Sequence, residues 1–323
     1  MSSEFDRIAR LRAKFGKGDE RVVLGIGDDG AVLDLRGGST VVSVDTSIEN
    51  THWRRTWLSW RDIGYRSQVA AMSDLAAMGA DPGQAVIALA CPESLDDDAF
   101  DQLADGISEA AREIGYSVVG GNLSRASEVS ITTTVFGAIP FGPEARKPVT
   151  RAGARPGDDV YVTGVIGAAA LGLCALERGN DEASLTPFVH RWRRPVPRFA
   201  ESAMLRAHAT ACIDVSDGLL QDAGHLAAAS QVGIVLEADA LPRLEGWSDA
   251  CAALGVDPQS FGLAGGENYE LLFTCAPTDA LGSFAKRVGT VADGPASVRL
   301  LDGAGRSVPL LAAGFDHFRA TAR

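Results

Sequence analysis

Hydrophobic positions in the first half of the chain switch between two periods. Val41–Val44 and Ala85–Ala90 are short β-rich runs, and Val129–Ile139 alternates apolar residues with polar neighbours, so each predicts a strand. Between them the spacing becomes helical over Asp62–Met78 and Asp96–Ile114, the second presenting Phe100, Leu103, Ile107, Ala111 and Ile114 on one face. A strand at Ser117–Val119 is expected to end at Gly120-Gly121-Asn122. Near the start, Phe5, Ile8, Leu11 and Phe15 share one face of a short amphipathic helix, with charges between them and no signal-peptide core.

The texture changes at Phe141–Asp158, where FGPEARKPVTRAGARPGD is dense in Pro, Gly and Arg. That break divides the chain into residues 1–148 and 149–323. Beyond it the pattern predicts a strand at Asp159–Thr163, a small-residue helix from Ala168, a proline-broken stretch over Arg194–Arg198 and a helix over Gly218–Ser230. Strands follow at Ile234–Glu237, Leu271–Cys275 and Val288–Ala292, with a hairpin around Asp302–Gly305. The fold class expected is α+β in two domains. The most apolar long stretch, Gly164–Leu176, is too short to span a bilayer.

Composition narrows the partners. With 30 Lys+Arg against 42 Asp+Glu the net charge is −12, a field that repels nucleic acid and anionic membranes. A small phosphorylated ligand stays compatible, because bound metal ions reverse the local sign of an acidic pocket. The 5 cysteines are dispersed and form no C-x-x-C pair, which reads as reduced thiols of a cytoplasmic protein.

The carboxylates carry the chemistry. GIGDDGAV at 25–32, VVSVDTS at 41–47, AMSDLAAMGADP at 71–82, CIDVSDGL at 212–219 and GGEN at 265–268 set acids among glycine, serine and aliphatic residues. Acids at the ends of buried strands and helices need a counter-charge. No segment supplies it locally, and divalent cations on phosphate oxygens would. Read singly, each has a plain alternative. Asp29 could cap a turn or ligate a metal, and Asp45 and Asp74 fit structural roles equally well. Asp214 and Asp217 bracket Ser216 at a strand-to-helix junction, which suits an N-cap and a phosphate-binding helix end alike. The Gly120-Gly121 and Gly265-Gly266 pairs allow close backbone approach or a turn. His52 beside Trp53, and Phe315 in GFDHF, serve either packing or ligand contact. No G-x-x-x-x-G-K-[ST] sequence is present, which argues against a Walker-type NTPase.

In this order the segments resemble the thiamine-monophosphate kinase family of the aminoimidazole ribonucleotide synthetase superfamily. The resemblance runs through GIGDDGAV, Asp45-Thr46 with His52 following, SDLAAMGADP, TRAGARPGDDVYVTG, RPVPR, IDVSDGL with DAGHL, GGENYELLFT and GFDHF. It implies a PurM-like architecture: a homodimer whose N-terminal domains join sheets into a barrel, with an α/β C-terminal domain on each subunit. ATP, several Mg²⁺ ions and thiamine monophosphate would share the cleft between domains. It further implies Asp29, Ser43, Val44, Asp45, Asp74, Asn122, Asp214 and Asp217 as metal ligands, Val44 through its backbone carbonyl. Gly121, Asn122, Arg151 and Ser216 would meet the nucleotide, and His52, Glu267, Asn268 and Phe315 the substrate. No residue is assigned as general base, since an acceptor phosphate is already ionised at neutral pH.

The chain departs from the pattern of that family at Ala71, Asn122, Gly167-Ala168 and Asn268, where polar or acidic residues are usual. Three readings follow: a working thiamine-monophosphate kinase, a paralogue acting on another small phosphate ester, and a catalytically degenerate ATP-binding dimer.

Overall fold

The computed structural model describes residues 22–24, 27–34, 39–139, 147–278 and 280–310. The expected helix near residues 1–15 and Phe315 lie outside them. Two sheets organise these residues.

The first sheet is built from β1 (Val22–Leu24), β2 (Ala31–Asp34), β3 (Ser39–Ile48), β4 (Asp81–Cys91), β5 (Ser117–Arg125) and β6 (Ser130–Ala138). Their order is β1-β2-β3-β6-β4-β5, antiparallel except where β4 runs parallel to β5. The alternation read over Val129–Ile139 is the alternating burial of β6. Two helices, α1 (Trp60–Ala77) and α2 (Asp97–Ile114), pack beside this sheet. Ser59 caps α1 by accepting from the Asp62 N–H, Asp96 caps α2 by accepting from the Ala99 N–H, and left-handed Gly115 ends α2.

Two details differ from the sequence reading. On α2 the buried stripe is Ala99, Leu103, Gly106, Ala110 and Ile114, so Phe100, Ile107 and Ala111 sit at its margin. Glycine is the reason: a Cβ on Gly106 would stand 1.9 Å from the Arg61 carbonyl oxygen, and one on Gly64 2.1 Å from that of Leu103. The two backbones touch there, and the helix turns Gly106 rather than Ile107 toward α1. In addition, β5 does not end at Val119. It continues through Gly120-Gly121-Asn122 to Arg125, because a Cβ-free Gly121 admits the Ile87 carbonyl at a distance of 1.9 Å from where a Cβ would stand.

The second sheet comprises β7 (Asp159–Thr163), β8 (Ala211–Val215), β9 (Gly233–Glu237), β10 (Glu270–Cys275), β11 (Ala285–Ala292), β12 (Ser297–Leu301) and β13 (Ser307–Val308). It is ordered β13-β12-β9-β11-β7-β10-β8 and antiparallel except for β9 beside β12. Around it lie α3 (Ala168–Arg178), α4 (Thr186–Arg193), α5 (Phe199–His208), α6 (Leu219–Ser230), α7 (Trp247–Leu254) and α8 (Pro258–Ala264). The Val149 N–H donates to the Met78 carbonyl at 3.0 Å and Arg206 donates to that of Gly79 at 2.7 Å, so the end of α1 is held against the second domain. Among the described residues no helix is long and apolar enough to cross a membrane.

Replacing Gly106 by Ala is expected to destabilise the protein by about 3 kcal/mol, the upper end of overpacking costs, because rigid backbone and not a side chain must give way. Urea denaturation of the two proteins measures it.

Candidate active site

The acids that lie far apart in sequence meet where α1 crosses the end of β8. Asp29 leaves the turn before β2, Asp74 projects from the last turns of α1, and Asp214 stands at the end of the wholly buried β8. One carboxylate oxygen from each lies within 4.8 Å of the others. Hydroxyl groups orient them: Ser43 on β3 donates to Asp74, and Ser73 donates to Asp214 at 2.8 Å. Ser43 also reaches the Asp29 carbonyl at 3.1 Å, tying the turn to the strand.

Charge is in excess here. Burial first, then the facing carboxylates, hold Asp74 and Asp214 well above the usual carboxylate range. Asp28 is pushed up to about 6 by burial and by Asp29. Arg151 clamps Asp29 with two hydrogen bonds, Nε to Oδ2 at 3.1 Å and Nη2 to Oδ1 at 2.8 Å, while its N–H donates to Asp28. That single guanidinium neutralises one acid of the group and leaves Asp74 and Asp214 in surplus.

A second group adjoins the first at the start of α6. Asp217, Asp222 and His225 bring ligand-type atoms within 4.8 Å of one another. Asp222 is buried, and its Oδ2 accepts from the Asp217 and Gly218 N–H groups at 3.2 and 3.1 Å, which shapes the turn that carries Asp217. Sequence reading missed Asp222 as a site residue. Its signal was an acid in the first helical turn, where N–H groups lack partners. His225 is pushed down to about 4 by burial and by Arg151, so the ring is neutral.

The GGEN segment folds over Ser216. The Glu267 N–H donates to the Ser216 carbonyl at 2.6 Å, and only glycine fits at 266, where a Cβ would lie 2.4 Å from that same oxygen. Glu267 and Tyr269 adopt left-handed φ of 60° and 51°, each a strain of about 1–3 kcal/mol for a residue with a side chain. Glu267 pairs with Arg66 of α1 at 2.7 Å and accepts from the indole N–H of Trp192. Neither Arg66 nor Trp192 carried a sequence signal, because their roles depend on contacts across the two domains.

Asn268 differs from its expected substrate-facing role. It is buried, its Oδ1 accepts from the Gly167 N–H at 2.8 Å, and its Nδ2 donates to the Gly265 and Gly266 carbonyls at 2.8 and 3.3 Å. Both ends of the amide are used inside the loop, and a carboxylate could not donate to those carbonyls. His52 accepts the Ile48 N–H on Nδ1 at 2.9 Å, which puts the ring proton on Nε2. The Val44 side chain is 60% exposed on the opposite face of β3 from Ser43, so only its backbone can face the acids.

Gly121 and Asn122 are not brought to this cluster within one chain. The register runs Asp45–Thr133–Ile87–Gly121 across four strands, a separation of about 14 Å at ordinary strand spacing. They occupy the exposed edge strand β5 instead.

Residues 27–139 match the family described as AIR synthase related protein, N-terminal domain, and residues 155–300 match its C-terminal domain. The chain is 36% identical to the thiamine-monophosphate kinase of Salmonella typhimurium over 277 residues, 84% of this chain and 82% of that protein. The chain belongs to the thiamine-monophosphate kinase family. Another family member, from Mycobacterium tuberculosis, is 35% identical over 92% of this chain and 86% of its own length. A solved structure described as "AaThiL complexed with AMPPCP and TMP" has a TM-score of 0.86 at 29% identity, covering 98% of this chain and 97% of that one. The two-domain fold of this kinase family is thus the fold seen here.

Asp214→Asn is expected to act with opposite signs. Removing one of the mutually repelling acids should raise the thermal midpoint of the cation-free protein by roughly 1–2 °C, the shift that about 1 kcal/mol gives in a chain of 323 residues. The same change should abolish the further rise that Mg²⁺ produces in the parent. Calorimetry with and without Mg²⁺ reads both.

Proposed function

We propose that the protein transfers the γ-phosphoryl group of ATP to thiamine monophosphate, giving thiamine diphosphate. One observation carries this reading beyond family membership: Asp29, Asp74 and Asp214, drawn from both domains, form a buried cluster with more negative charge than Arg151 balances. The donor set is oxygen alone, from carboxylates, a hydroxyl and a backbone carbonyl, which fits Mg²⁺. Asp29, Asp74, Asp214 and Asp217, with Ser43, Asp45 and the Val44 carbonyl, would hold the ions. When bound, Mg²⁺ would neutralise the phosphates and hold donor and acceptor oxygens in line.

The chain's own groups then have defined tasks. Arg151 is placed to exchange its carboxylate partner for a nucleotide phosphate once cations occupy the acids. The Ser216 hydroxyl meets the nucleotide, His52 offers a neutral Nε2–H to the acceptor, and Glu267 with Phe315 contacts its rings. No side chain need remove a proton, because the acceptor phosphate is already anionic at neutral pH. The similar structure complexed with AMPPCP and TMP supports the same pair of ligands for this cleft.

A homodimer belongs to the same proposal, with residues 1–148 as the dimer-forming, metal- and ATP-binding domain and 149–323 completing the cleft. All nine residues of β5 are exposed, including Val119 at 62% and Leu123 at 65%. Among the described residues β2 covers β3 over Ser39–Val42 only, so the edge of Ser43–Ile48 opposite β6 has no strand beside it. Pairing β5 of one copy with that edge of the other would close a barrel and set the partner subunit's Asn122 near Asp45. Exposed strand edges of this kind favour such pairing. Five free cysteines support a cytoplasmic location.

Purified protein with ATP, Mg²⁺ and thiamine monophosphate should yield thiamine diphosphate by chromatography, and Asp74→Asn should reduce turnover about 100-fold, equivalent to roughly 2.7 kcal/mol of barrier. No product at saturating Mg²⁺, but product from Asn122→Asp, would favour the degenerate-site reading. Sedimentation of the same sample as a monomer would overturn the dimer.

A further inference from the structure

The region between α1 and the GGEN loop contains a buried cation that the proposed chemistry does not use. Arg66 is 4% exposed and lies seven residues before Ser73, on the same face of α1. Its Nη2 pairs with Glu267 Oε1 at 2.7 Å and its Nη1 donates to the Trp192 carbonyl. Its guanidinium carbon stands 4.5 Å from the centre of the Trp192 ring and 5.6 Å from that of Tyr269. Trp192 itself is fully buried and donates its indole N–H to the other Glu267 oxygen. Edge-on contact with Trp57, ring centres 6.0 Å apart, fixes it further.

Glu267 is therefore held from three sides. Its backbone N–H is on Ser216, one carboxylate oxygen is on Arg66, and the other is on Trp192. The side chain stays 25% exposed, so it is not sealed off by these partners. A carboxylate oxygen has capacity for more than one donor or cation. Without Arg66, the Trp192 indole N–H would be left as the one side-chain group among the described residues that holds Glu267 against relaxation of its left-handed backbone.

We propose that Arg66, with Trp192 behind it, is a positioning residue that holds Glu267 in the orientation that receives the acceptor's cationic thiazolium ring. The partners of Arg66 among the described residues are Glu267, Trp192 and Tyr269 and none is an acid of the metal cluster, so its effect is expected on the acceptor and not on ATP. This rests on thiamine monophosphate being the acceptor. It goes beyond the family resemblance, which pointed to Glu267 but to neither residue that orients it.

Steady-state kinetics and calorimetric titration of thiamine monophosphate in the presence of AMPPCP test it on the full-length protein. Arg66→Met should raise the acceptor KM and Kd about tenfold or more, as breaking the buried ion pair that orients Glu267 would, with the ATP KM changed less than about twofold. Arg66→Lys should recover part of the loss, since an ammonium can still pair with Glu267. An unchanged acceptor Kd in Arg66→Met, or equal rises for acceptor and ATP, overturns the proposal. Should Arg66→Met not fold, Trp192→Phe removes the indole donor together with part of the ring against Arg66 and decides by the same readout, with a rise of about threefold expected and no rise overturning it. Wild-type protein that binds the acceptor without forming product would sink the kinase reading while the Kd ratio still judges Arg66. No binding at all would sink both.

Discussion

Repulsion among buried carboxylates is the constraint around which the molecule is arranged. Asp29, Asp74 and Asp214 come from a turn, a helix and a strand of two different domains, yet their oxygens converge within 4.8 Å. Such a cluster opposes folding, and the protein offsets it locally with Arg151 on Asp29 and hydroxyls on Asp74 and Asp214. The two least compensated acids retain protons above the normal carboxylate range. A site of this kind gains from any ligand that brings positive charge, and the surrounding fold holds the acids together until one does.

Helix α1 carries most of that holding. It meets α2 backbone to backbone at Gly64 and Gly106, so its position on the first sheet has little freedom. From that rigid seat it sends Ser73 to Asp214 and Arg66 to Glu267, both in the second domain. Its far end is tied by the Met78 and Gly79 carbonyls to Val149 and Arg206. The acids and the strained GGEN loop are therefore positioned by one element, at two points about 10 Å apart along its axis at 1.5 Å per residue.

Departures from the family pattern have different physical meanings. Asn268 is a neutral brace whose amide donates and accepts inside its loop, meeting Gly167 at the start of the small-residue helix. Gly167 keeps the usual glycine and Ala168 beside it is the altered position, so two substitutions far apart along the chain lie close together in the fold. Asn122 is different, standing on an exposed strand with no role inside a single copy.

Much of the fold was legible because its signals are local. Strand alternation in β6 and the spans of α1 and α2 follow from side-chain period. The acids were legible as a class, since carboxylates among glycine and aliphatic residues mark the ends of buried elements. Which acids meet was not. Asp29, Asp74 and Asp214 converge, while Asn122 lies three strands from Asp45, and chain order does not separate these cases. The continuation of β5 through two glycines, the turn of α2 toward Gly106, and the hold of Arg66 and Trp192 on Glu267 all depend on groups distant in sequence. By itself the sequence determined the elements, the family and the kind of chemistry, because those rest on residue type and near spacing. The tertiary structure alone decided which charges balance one another, because Coulomb and hydrogen-bond energies depend on separations in space that chain order does not contain.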